Sequence, residues 1–187
     1  MLQGANLERA ELSAADLTGA RLEGVRGHAV GMGRARLDDA ALLEADLREA
    51  SLTGASLRGA DLRMAKLERA RASAADFARA DLSRADLRAA DLSGANFHGA
   101  VLERALLADA SLNSIRGFEK ARWIGIDIHD IDFTGAHLCR RFILDQNYLE
   151  EFRKQGALAK WVYRVWWATS DCGRSLLRWG LWTLALA

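Results

Sequence analysis

The sequence predicts an all-β repeat solenoid followed by an α-helical segment, and three observations carry that prediction. First, large apolar residues recur every five positions from Leu7 to Leu112: of the 22 positions in that series, 20 are Leu, Met or Phe, the exceptions being Gly27 and Ala72. Second, the position two residues before each centre is alanine in 20 of the 22 units and valine in the others, Val25 and Val30. Third, the 187 residues include no proline. An α-helix repeats at 3.6 residues and a flat strand at 2, so a strict period of five means that each unit turns the chain. A body without proline keeps almost every backbone N–H available to the coil above or below.

Units such as Ala5-Asn6-Leu7, Ala15-Asp16-Leu17, Ala45-Asp46-Leu47 and Ala90-Asp91-Leu92 resemble the pentapeptide-repeat family, whose motif is A-(D/N)-L-x-x. The resemblance implies a right-handed quadrilateral β-helix, in which each unit forms one side of a square and four units make a coil of twenty residues. Centres twenty residues apart would then stack as ladders inside the coil, with alanine where the interior is narrow. Leu7, Leu17, Leu47, Leu57, Leu67, Phe77, Leu87, Phe97 and Leu112 are expected in this core, together with Phe133 further on.

Register persists where the motif fades. Gly27 and Met32 still fall on centres between Leu22 and Leu37, and the four glycines from Gly24 to Gly33 predict a distorted corner or small loop. After Leu112 the phase moves by one residue, giving Phe118, Trp123, Ile128, Phe133 and Leu138 as centres, with Ala121, Ile126, Ile131 and Ala136 as companions. One residue inserted between Leu112 and Phe118 accounts for this. The whole run corresponds to about seven coils and, at the usual strand spacing, to a length of roughly 34 Å. Residues 1–138 are therefore read as the solenoid and 139–187 as a C-terminal helical segment.

The two cysteines, Cys139 and Cys172, make no disulfide framework and suit a reducing compartment. Polar repeat units begin by Asn6, so no secretory leader is expected. The first coil carries no recognisable cap, although terminal coils need one to cover apolar side chains and strand edges. Either a partner covers that end or the natural start lies upstream.

Charge is unevenly divided. Residues 1–138 hold 18 Lys and Arg against 21 Asp and Glu, a balance of −3, whereas residues 139–187 hold 8 against 4, a balance of +4. One face presents Glu8, His28, Arg48, Glu68 and Arg88 just after its centres, so signs are mixed. Nucleic-acid binding asks for a basic stripe and is not expected. Some pentapeptide-repeat proteins look like duplex DNA through a strongly acidic surface and protect bacterial gyrase; here the size fits and the charge does not.

The tail changes character after Leu138. Residues Arg140 to Gln155 lack the five-fold pattern and form a predicted helix ending at Gly156. A second helix is predicted over Ala157 to Thr169, with Leu158, Trp161, Val162 and Val165 as its apolar stripe, and a third follows a cap at Ser170 or Asp171. Five of the six tryptophans lie between Trp161 and Trp182. In one reading these helices plug the open solenoid end or form a homodimer interface. In the other, Lys160, Arg164, Arg174 and Arg178 beside Trp166, Trp167, Trp179, Trp182 and Leu184 form a cytoplasmic membrane margin. The final uncharged stretch after Arg178 is only nine residues long, whereas a span needs about twenty. The junction from Asp145 to Arg178 is similar to that of membrane-bound pentapeptide-repeat proteins, sometimes of a two-helix channel type. The chain carries no potassium-filter sequence.

No phosphate loop, nucleophile elbow or dinucleotide fingerprint is present. Asp127, His129, Asp130 and Asp132, with His137 nearby, are the densest polar cluster, but the five-residue grid points Asp127 and Asp132 outward on successive faces. No catalytic residue, metal or cofactor is therefore expected. The expected function is a non-catalytic scaffold for a protein partner, in the cytoplasm at the inner face of a bacterial plasma membrane. The alternatives are a soluble protein whose Trp-rich helices cap or dimerise and, third, a DNA-mimicking gyrase-binding protein.

Overall fold

The computed structural model describes residues 2–154. Met1–Gln146 form one compact unit and Asn147–Ala187 a second. Parallel bridges link residues twenty apart: Asn6 to Arg26, Arg26 to Asp46, and onward through Lys66 and Asp86 to Leu106. The ladder that starts at Glu11 runs through Gly31, Ser51, Arg71, Asp91 and Ser111 to Asp132, seven residues deep. Two more ladders start at Asp16 and Arg21, which makes four sides to each coil.

A single unit shows why five residues suffice. The N–H of Asp81 donates to Ala60 O in the coil before (2.9 Å), and those of Leu82 and Arg84 donate to Val101 O and Glu103 O in the coil after (2.7 and 2.9 Å). The N–H of Ala85 closes the turn onto Leu82 O at 3.0 Å. Only the N–H of Ser83 lacks a backbone acceptor, and the Asp81 carboxylate accepts it at 2.9 Å. All five donors are used, so a proline in the body would leave a carbonyl or carboxylate without its donor. The same accounting explains the Asp or Asn of the motif, which supplies the one acceptor that the coil cannot.

Each turn places its third residue at positive φ, as at Arg84 (59°) and Gly94 (69°). Left-handed backbone costs a residue with a Cβ about 1–2 kcal/mol, yet 17 non-glycine residues among those described adopt it. The bonds to both neighbouring coils hold them there.

The interior is a continuous ladder core. Leu47, Leu57, Leu67, Leu87, Phe77, Phe97 and Leu112 are buried to within 1% of full burial, and Phe133 is 7% exposed. Leu7 and Leu17, in the first described coil, are half-buried. The glycine-rich stretch from Gly24 to Gly33 corrects the expectation of a distorted corner. Arg26 and Gly31 keep their bridges and Met32 is fully buried. At the centre position Gly27, an added Cβ would meet Leu47 Cδ2 at 3.1 Å and Val30 Cγ1 at 3.2 Å, so neighbouring side chains already occupy the space.

The phase shift lies slightly later than the pattern suggests. Asn96 still bridges to Arg116 at a spacing of twenty, whereas Val101 bridges to Arg122 at twenty-one. The extra residue is absorbed by a short 3-10 helix over Phe118–Lys120. The old register therefore runs through Ile115 and puts its centre on Gly117. Phe118 is not an inward centre, as expected from the pattern, but a half-buried residue of the bulge. Gly117 lies beneath Phe97 in the ladder, since the Phe97 N–H donates to Arg116 O. A Cβ on Gly117 would meet His98 N at 2.7 Å and Asn96 Oδ1 at 2.8 Å, so no side chain fits there, and the aromatic partner of Phe97 is Trp123. Its ring meets Phe97 edge-on at 5.5 Å, and Phe97 stacks on Phe77 at 5.4 Å. The indole N–H of Trp123 donates to Phe118 O at 3.0 Å.

Helix α1 spans His137–Lys154, beginning three residues before the expected Arg140. Leu138 is consequently not the last core centre: it lies in the first turn of α1 and is 74% exposed. The helix turns Cys139 and Ile143 fully into the core, and Phe142 meets Phe118 edge-on at 5.9 Å. Gln146 then takes the place of a following coil. Its Oε1 accepts the Trp123 N–H at 2.8 Å and its Nε2 donates to Ala121 O at 3.0 Å. Among the described residues no helix is long and apolar enough to cross a membrane.

Candidate interaction surface

The outer surface of the solenoid consists of the residues just before each centre and the two after it, and many of its carboxylates serve the turns. The carboxylates of Asp16, Asp61, Asp76, Asp86, Asp91 and Asp132 each accept the backbone N–H two residues on. Where that second residue is arginine, the guanidinium folds back onto the same carboxylate. Arg63 binds Asp61 with two bonds of 2.7 and 2.6 Å, and Arg88 binds Asp86 with 2.8 and 2.6 Å while also reaching Glu68 at 2.6 Å. Half-exposed pairs of this kind add little stability, but they neutralise the faces locally.

These contacts hold the carboxylates below their ordinary range. The Thr18 hydroxyl does so at Asp16, the Arg48 and Arg63 guanidinium bonds at Asp46 and Asp61, and the Thr134 hydroxyl at Asp132. At Asp86 burial opposes the shift and the bonds from Arg88 outweigh it. A carboxylate whose pKa is lower folded than unfolded contributes stability above about pH 4, and that contribution disappears as the pH falls through the folded value. The urea midpoint is therefore expected to fall progressively below about pH 4 and to vary little from pH 5 to 8. For one such group, Asp61→Ala removes the acceptor of the Arg63 N–H and should cost about 0.5–1.5 kcal/mol. Asp61→Asn keeps the acceptor and should cost less; equal urea midpoints for the two variants would refute the capping role.

The four faces differ. Just after the centres, the face of the Asn6 ladder presents Glu8, His28, Arg48, Glu68, Arg88, Ala108 and His129, whereas that of the Glu11 ladder presents Ser13, Gly33, Thr53, Ser73, Ser93, Asn113 and Thr134. The second set contains no charge. This contrast was readable in the sequence by sorting the post-centre residues into four columns of spacing twenty.

The polar cluster near residue 130 does not converge. Asp127 accepts from its own turn at the His129 N–H and meets the His129 ring at 2.5 Å, with the two side chains 79% and 86% exposed. That contact raises the His129 pKa. Asp132 lies on the next face and caps Thr134. Among the described residues no group of His, Cys, Asp and Glu could hold a metal ion. His28 is bonded to Arg48 O through its ring, and His98 sits on another face. Burial pushes the Cys139 thiol up to about 12, so it is an inert packing residue. Cys172, Trp166, Trp167, Trp179, Trp182 and Leu184 lie outside the described residues.

A β-solenoid of four-sided coils built on A-(D/N)-L-x-x units is a repeat scaffold, and the chain belongs to the pentapeptide-repeat family. The family described as pentapeptide repeats matches in 8 copies over residues 1–26, 32–69 and 65–104, more than half of the chain. The family implies the right-handed quadrilateral β-helix, and the match indicates no catalytic family. No curated relative matches the chain. Among solved structures it is similar to HetL, a pentapeptide repeat protein involved in heterocyst differentiation regulation in the cyanobacterium Nostoc sp. strain PCC 7120. That pair is 33% identical, covers 71% of this chain and 63% of HetL, and has a TM-score of 0.32. It is also similar to Rfr23 from the cyanobacterium Cyanothece 51142, with 31% identity, 55% and 63% coverage and a TM-score of 0.27. Full-length QnrB1, a plasmid-mediated fluoroquinolone resistance protein, shows 18% identity, 78% and 91% coverage and a TM-score of 0.37. The chain thus spans less than two thirds of the length of HetL and of Rfr23.

Proposed function

We propose that this protein is a non-catalytic scaffold that presents the solenoid to a protein partner, and that its Trp-rich C-terminal sequence holds it at the cytoplasmic face of a bacterial membrane. One observation carries the scaffold reading: the surface carboxylates described above are tied to turn N–H groups and to arginines of their own turn. Among the described residues they offset charge locally and form no converging set for catalysis, and no acidic stripe of the kind that imitates DNA. For the membrane reading, support comes from the +4 balance of residues 139–187 and from the tryptophans among Lys160, Arg164, Arg174 and Arg178. The capping role that competes for this sequence is performed at Trp123 and Ala121 by Gln146 of α1.

Deleting residues 171–187 tests the membrane half. The truncated chain should keep the denaturant midpoint of the full chain and lose its partitioning to anionic phospholipid vesicles. A markedly lower midpoint after deletion, with a full chain that ignores vesicles, would overturn the membrane reading and assign the segment to capping.

A further inference from the structure

We propose that the face of the Arg21 ladder, with the corner that carries Arg84 and Arg104, is where the scaffold receives its partner, and that the partner segment is an amphipathic helix bearing aliphatic and acidic side chains. The inference rests on the scaffold reading above and adds to it a surface and the chemistry that fits that surface. Outside the 3-10 bulge, large apolar residues occupy outward positions between Asn6 and Asp132 only at Leu43, Met64, Val101, Leu106 and Ile124. Four of these five lie on the Arg21 face, and Leu106 follows Arg104 by two residues, just around the corner. None of the five belongs to the buried core, and Met64 and Leu106 are 47% and 51% exposed.

Among these side chains stand two cations without counter-ions. Arg21, Arg63 and Arg122 on the same face are bound to Glu23, Asp61 and Glu103. Arg84 and Arg104 are exposed and pair with no carboxylate among the described residues. The carboxylates beside them are already engaged: Asp81 by Ser83, Asp86 by Arg88 and Glu103 by Arg122. Arg84 and Arg104 hold the same turn position in consecutive coils, so their stems start about 4.8 Å apart and their like charges repel until an anion joins them. Free cations among aliphatic side chains are complementary to carboxylates among aliphatic side chains. The coils use their backbone N–H groups on one another, which leaves the face no edge for a strand to join and favours a helix that satisfies its own backbone. From Leu43 to Ile124 the face climbs four coils, about 19 Å, which is the rise of about 13 helical residues.

The test is fluorescence anisotropy of labelled synthetic helical peptides titrated with the full-length chain. One peptide carries leucine and glutamate on one face, a second has lysine in place of glutamate, and a third has serine in place of leucine. The first should bind, and the other two at least about tenfold more weakly. Arg84→Glu with Arg104→Glu should weaken the first peptide at least about tenfold, and Met64→Ser at least about threefold. Glutamate and serine already hold this turn position at Glu44 and Ser114, so the backbone accepts both. The pair Arg34→Glu with Arg79→Glu makes the same change of net charge at the same turn position on the two other faces, and should bind like the parent. Equal loss from both arginine pairs, no loss from either, or preference for the lysine peptide would overturn the proposal. Duplex DNA that displaces the peptide at equal charge concentration would also overturn it, by assigning the corner to polyanions. Photo-cross-linking in the host cell separates this surface from the scaffold reading. With the probe placed in turn at Glu44, Arg69, Ala74 and Arg79, one such position per face, a discrete protein adduct is expected from Glu44. Adducts from another face alone would overturn this surface and leave the scaffold, whereas no protein adduct from any face would overturn both.

Discussion

Replacing Trp123 by alanine should destabilise the solenoid by about 3–5 kcal/mol, the range for large aromatic truncations in cores. The side chain is fully buried and sits edge-on to Phe97. Its indole N–H also satisfies Phe118 O in the 3-10 turn that absorbs the inserted residue. Loss of the ring would leave a cavity beneath the Phe77–Phe97 stack, while Phe118 O would keep only its bond from the Ala121 N–H. Trp123→Phe refills most of the volume without the N–H, and should recover more than half of the loss if packing dominates. Denaturant unfolding followed by far-ultraviolet circular dichroism gives both values. A Trp123→Ala variant within about 1 kcal/mol of the parent would mean that the core closes over the site without it.

The second large effect separates the two faces of the repeat. Leu57→Ala removes a fully buried side chain from the middle of its ladder and should cost about 2–5 kcal/mol. Arg58→Ala, at the adjacent position, removes a half-exposed guanidinium that reaches Asp76 at 3.3 Å, and should cost about 0.2–1 kcal/mol. Similar urea midpoints for the two variants would contradict the inward register. The contrast rests on geometry alone, since neighbouring residues of one unit point to opposite sides of the coil wall.

The repeat grid was legible residue by residue because each local rule points the same way at every unit. Leu47, Leu57 and Leu67 could be placed inside from spacing alone, and their environment is the same from coil to coil. The motif Asp or Asn could be placed outside on the same grounds, although its reason, the single N–H per unit without a backbone acceptor, needed the hydrogen-bond pattern. The left-handed residue of each turn left a partial trace in Gly19, Gly24, Gly54, Gly59, Gly94 and Gly99, which share one column with many residues that are not glycine. Local preference is outweighed there by bonds to the coils on either side.

Where the regular pattern ends, spacing lost its authority. Phe118 and Leu138 continue the period of five on paper, but Phe118 sits in the bulge and Leu138 on the outside of α1. The glycines from Gly24 to Gly33 looked like a break and are not one, because side chains from adjacent positions fill the space around Gly27. By itself the sequence determined the solenoid, its inward ladders and the absence of a strongly charged face, since those follow from a periodicity repeated in every unit. Only the tertiary structure decided where the inserted residue goes, which aromatic packs on Phe97 and how Gln146 caps Trp123 and Ala121. Each of those depends on a single contact between residues distant in the chain, and a contact made once leaves no period to read.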